Sequence, residues 1–96
     1  MGGTDTIKTM REPRRVAAST SPVGLFSYVS GIRQRHVYND SSADLYLKYG
    51  TGASTTVFLV KIGPGGLYEF PNDPIYAGPV TGVWSSATGA AMCTEG

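Results

Sequence analysis

One cysteine and one histidine in 96 residues leave this chain little with which to build reactive chemistry. The lone Cys93 excludes an intrachain disulfide framework. Its neighbours Ala90, Ala91, Met92 and Thr94 include nothing that would activate a thiolate. The plain expectation is a small residue packed in a terminal strand, with an interchain disulfide as the alternative. His36 has no cysteine or carboxylate beside it at a metal-ligand spacing, so neither a metal nor another cofactor is expected. Any nucleophile–base pair would have to use this one histidine, and no serine stands in a nucleophile-elbow context. The carboxylates Asp40, Asp44, Glu69 and Asp73 fall at turns and strand edges, which gives no acid–base pair. The expectation is a protein that is not an enzyme.

Long apolar runs are missing as well. No stretch approaches the ~18–20 residues needed to span a bilayer, so no membrane partner is expected. Residues 1–10 contain no apolar core of a signal peptide, and assembly in a cytoplasm is the matching expectation. No segment sustains a 3.6-residue period, which leaves helices without support.

What is present is β chemistry. Apolar residues make up 41% of the chain, close to an ordinary soluble protein, and glycine and proline punctuate short runs of β-branched and aromatic residues. Strands are expected at Val23–Val29, Arg33–Asn39, Leu45–Tyr49, Thr56–Ile62, Leu67–Phe70, Val80–Trp84 and Ala90–Thr94. Thr56–Ile62 (TVFLVKI) reads as the strongest of them. Gly63-Pro64-Gly65-Gly66 suits a type II turn with Pro64 second and Gly65 at positive φ, and is expected to join Thr56–Ile62 to Leu67–Phe70 as a hairpin. It is not a phosphate cradle, because no Lys-Ser/Thr follows and strands flank it. Turns spaced by roughly 8–12 residues point to a small antiparallel β-sandwich or barrel.

Residues 1–21 differ from the rest. Two early glycines, Pro13 and the small-polar run 17–21 read as an extended N-terminal arm, ending in a strand near Val16–Ser19. The division expected is an arm over 1–21 and a β-sandwich domain over 22–96. Charge follows the same division: residues 1–35 hold six basic and two acidic groups, a net +4, and residues 36–96 hold two and five, a net −3. A chain so divided can dock its basic end on an acidic neighbour, including a copy of itself. Lys8, Arg11, Arg14 and Arg15 are the candidates on the arm. Four charges interrupted by Glu12, with no aromatics between them, speak against nucleic acid as the partner.

Alternation along TVFLVKI puts Phe58, Val60 and Ile62 on one side and Val57, Leu59 and Lys61 on the other. If the first set fills the core, the second is a candidate contact patch. Trp84 is read as core. Tyr46, Tyr68 and Tyr76 offer amphipathic surface.

From Arg33 to Glu95 the chain resembles small structural proteins of tailed bacteriophages. The likeness lies in VYNDSSADLYLKYG (37–50), ASTTVFLVKIGPGGLYEFP (53–71) and YAGPVTGVWSSATGAAMCTE (76–95). It implies a compact β domain built into a virion, as a capsid decoration, neck or collar, or tail accessory protein. The partners implied are other virion proteins and further copies of the chain. A carbohydrate- or host-surface-binding β-module is the second reading, because small sandwiches often present aromatics to sugars.

Overall fold

The strands follow from alternation and turn chemistry, and all of the expected runs contribute one. In a computed structural model, which describes residues 11–96, these are β1 (Arg14–Ala17), β2 (Val23–Phe26), β3 (Arg35–Asp40), β4 (Leu45–Tyr49), β5 (Val60–Ile62), β6 (Leu67–Glu69), β7 (Val80–Trp84) and β8 (Ala90–Glu95). In β4 the alternation is plain: Leu45 and Leu47 are buried, while Tyr46 and Lys48 are partly exposed. In β2 it fails, since Leu25 and Phe26 are consecutive and both buried. A register shift between Gly24 and Phe26 against β7 accounts for this, because a bulge turns two neighbours to the same face.

Two four-stranded sheets result, ordered β1-β8-β3-β6 and β2-β7-β4-β5, with antiparallel pairing throughout. We call them sheets A and B. Every connection between these strands except β4–β5 passes from one sheet to the other. This strand order is that of a jelly roll, a double sheet of eight strands folded as two Greek keys. The fold is therefore an all-β sandwich. Edge strands β1 and β2 form one lateral margin, and β5 and β6 form the opposite one.

Between the sheets lie Leu25, Phe26, Val37, Leu45, Leu47, Ile62, Phe70, Val80, Trp84, Ala91 and Cys93. Each large apolar side chain buried here contributes about 1.5–3 kcal/mol. Trp84 is core, as its sequence context suggests, with 1% exposure.

Two expectations about the segment 56–70 are corrected. Thr56–Ile62 is not one long strand, because only Val60–Ile62 pairs with β4. Upstream, the Ser54 hydroxyl accepts the N–H groups of Thr56 and Val57 (3.3 and 2.8 Å), and Ser54 N–H donates to the Val57 carbonyl (3.0 Å). A serine that captures nearby backbone in this way offers an alternative to the ladder. The second correction concerns the hairpin. Gly63–Gly66 does make the expected turn, with Gly66 N–H donating to Gly63 carbonyl (2.9 Å) and φ of +72° at Gly65. However, it carries the chain from sheet B to sheet A, so β6 pairs with β3 instead of β5.

Candidate interaction surfaces

Strand alternation in β3 sends Arg35, Val37 and Asn39 inward and His36, Tyr38 and Asp40 outward. The inward set holds the two buried polar anchors found among the described residues, Arg35 and Asn39. Arg35 is fully buried. Its Nε donates to Glu95 Oε1 (2.9 Å), Nη1 to the carbonyls of Tyr76 and Gly78 (3.0 and 2.7 Å), and Nη2 to those of Ser27 and Ala77 (2.8 and 3.3 Å). Its guanidinium carbon also lies 4.6 Å from the centre of the Phe26 ring, a cation–π arrangement. The planar fork thus ties the β2–β3 and β6–β7 connections to the end of β8.

Asn39, also fully buried, does the same at the other end of β3. Its Nδ2 donates to the carbonyls of Ala43, Ile62 and Gly63 (2.7, 2.8 and 3.1 Å), and its Oδ1 accepts from Ser41 Oγ and Trp84 Nε1 (2.7 and 3.2 Å). Reading for reactive groups missed both residues. The signal was there: in a period-2 strand, an inward Val37 puts positions 35 and 39 inward too.

The outward set builds the face of sheet A. Tyr38 stands in register with Met92 on β8 and Leu67 on β6, and Met92 stands in register with Arg15 on β1. An apolar row, Met92–Tyr38–Leu67, therefore crosses three strands, with Tyr38 40% and Leu67 57% exposed. His36 lies in the next row, its Nε2 4.0 Å from Glu69 Oε2, beside a shallow cavity of about 300 Å³ lined by Gln34, His36, Glu69 and Asn72. Among the described residues no group of three His, Cys, Asp or Glu side chains could hold a metal ion.

Val57 and Leu59 are exposed, at 57% and 52%. They sit on the curled approach to β5, where a sheet face was expected, and Phe58, expected in the core set, is exposed with them. Phe58 instead makes an edge-to-face contact with Tyr46, ring centres 5.0 Å apart. Lys61 is exposed on edge strand β5, opposite Tyr46. A lysine there also blunts an open sheet edge. Val57, Phe58, Leu59 and Leu67 lie along the β5–β6 margin, while Tyr28, 70% exposed, stands apart in the β2–β3 connection.

The arginines occupy the other margin. Arg11 pairs with Glu95 (3.5 Å) and Arg15 with Asp40 (3.3 Å), while Arg14 Nη2 donates to the Leu25 carbonyl. The charge division read from the sequence is thus matched within one chain. Lys8 lies outside the described residues. Cys93 is 2% exposed, and burial pushes its thiol up to about 11. In the folded chain the Cys93 thiol faces the core between the sheets.

The aromatic rings of Tyr49, Phe70 and Tyr76 turn towards one another. Tyr49 stacks on Tyr76 with centres 4.2 Å apart and on Phe70 at 5.2 Å. Burial, and then the hydrogen bond to the Tyr68 hydroxyl, push the Tyr49 phenol above its ordinary range. Compared with protein-family models, curated proteins and solved structures, the chain finds no match in any of the three.

Proposed function

We propose that this chain is a structural component of a tailed-phage virion, a capsid decoration, neck or tail accessory protein that works by binding its neighbours. The observation that carries the reading is the two-ended surface: exposed arginines along the β1 margin, and exposed Val57, Phe58, Leu59 and Leu67 along the β5–β6 margin. A surface with different ends suits heterologous contacts, in which one patch meets a different patch on the next subunit. The sequence texture from Arg33 to Glu95 supplies the virion context, and jelly rolls are a frequent architecture of capsid domains. Fold alone never decides function, so the surface carries the weight. The sugar-binding alternative would rest on the exposed rings of Tyr28, Tyr38 and Phe58, which stand on three different elements, since Tyr49, Phe70 and Tyr76 stack on one another.

The test is incorporation. The variant Leu59→Glu/Leu67→Glu changes two exposed side chains and should melt as cooperatively as the parent. Its yield in purified particles should fall about tenfold, as for a central contact. A parent chain that never accompanies particles, or a variant incorporated as well as the parent, would overturn the proposal.

A further inference from the structure

The segment Arg11–Ser19 is held to the sandwich by a ladder of backbone bonds, with Val16 and Ala18 packed against the core and three arginine side chains bonded at the surface. Arg11 N–H donates to the Glu95 carbonyl (3.0 Å), residues 14–17 pair with 90–93, Ala18 N–H donates to the Gly89 carbonyl (2.9 Å), and Trp84 N–H donates to the Ser19 carbonyl (2.8 Å). No side chain of β1 is fully buried, and only Val16 is half-buried. Its ion pairs are at the surface, with 58% and 61% exposure at Arg11 and Arg15, where such pairs are worth about 0–1 kcal/mol. By contrast, the β8 strand it covers buries Ala90, Ala91 and Cys93. Without β1, β8 would be an uncharged open edge from Ala90 to Cys93, a liability for random strand pairing.

The slot and its occupant match in detail. Acidic Glu95 and Asp40 and the Leu25 carbonyl receive Arg11, Arg15 and Arg14 respectively. Because every copy carries both the slot and the segment, any copy's segment fits any other's slot. Thr20, Ser21 and Pro22, all exposed, connect the segment to β2.

We infer that β1 is an exchangeable strand, and that residues 11–19 of one copy occupy the β8 edge of a second copy when the chain is concentrated. The exchanged state keeps the bonds between the segment and its slot. It differs in the path of residues 20–22, where Ser21 N–H donates to Ser19 Oγ (3.0 Å) in the closed state, and in the entropy of association. The closed form wins in dilute solution, because a short tether gives an effective concentration in the millimolar range, about 1 mM. Crowding of copies at or above that level favours exchange. The inference stands apart from the virion reading, since it concerns the purified chain alone.

Register supplies the test. Arg15 and Met92 are cross-strand partners. On a Cys93→Ala background, full-length chains carrying Arg15→Cys and Met92→Cys are mixed, unfolded, refolded together near 1 mM and oxidised. A double variant carrying both substitutions should close its disulfide within one chain in dilute solution, which establishes that the pair can bond. The mixture should then give several-fold more Arg15→Cys/Met92→Cys disulfide dimer than a mixture of Arg15→Cys with Ser86→Cys, whose position is off-register. Equal yields from the two mixtures would overturn the inference. So would a double variant that fails to close, because the β1–β8 register would then be wrong.

Discussion

Arg35 shows how much one residue can hold. Five N–H contacts from a rigid fork reach one carboxylate and four carbonyls, and among the described residues no fully buried side-chain polar atom lacks a partner. Lysine keeps the charge but is a point donor on a flexible stem. Arg35→Lys should therefore leave several buried carbonyls under-satisfied and cost about 3 kcal/mol. A urea unfolding series checks this, with the midpoint falling and the slope unchanged. A loss below about 0.5 kcal/mol, the range of ordinary surface changes, would mean that the fork adds nothing to the fold. Gly89 is constrained at the same scale. It has φ of +89°, and a Cβ there would lie 2.6 Å from the Asp40 carbonyl oxygen and the Ser41 Cα, so the turn into β8 admits only glycine.

At the scale of elements, the instructive case is the approach to β5. Propensity favours a seven-residue strand over Thr56–Ile62, but the Ser54 hydroxyl and N–H, bonded to the backbone of Thr56 and Val57, bend the first part out of the ladder. Val57 and Leu59 then bury little. Val57→Ser/Leu59→Ser should change stability by no more than about 0.5 kcal/mol, read as the shift in denaturation midpoint. A loss several times larger would show that these side chains belong to the core after all. The element best legible in the sequence was β4, where LYLKY alternates cleanly and its bounds agree with the expected run. β7 was equally legible. The arm was legible only in part: the strand expected near Val16–Ser19 lies at Arg14–Ala17, and its pairing with β8 as an edge of sheet A was not foreseen.

For the whole molecule, the decisive quantity is the distance along the chain between paired strands. β1 pairs with β8 across nearly the full length, as in Arg14 with Cys93, and only β4–β5 joins neighbours in both sequence and sheet. Loop-closure entropy must be overcome before such contacts form, so refolding should take about milliseconds to seconds. Stopped-flow dilution from denaturant measures it, and a microsecond phase carrying the whole amplitude would contradict the topology.

The sequence by itself determined the class of this protein. Short alternating runs between glycine and proline turns can bury one face only by stacking sheets. Tertiary structure decided what local pattern does not encode. A turn fixes how the chain reverses, but not which sheet receives the next strand, so Gly63–Gly66 is the expected turn in an unexpected crossing. Likewise Arg35 and Asn39 read as ordinary polar residues until the loops that supply their carbonyls close over them. The cause is the same in both cases. These partners are distant in sequence, and only the packed sandwich brings them within reach.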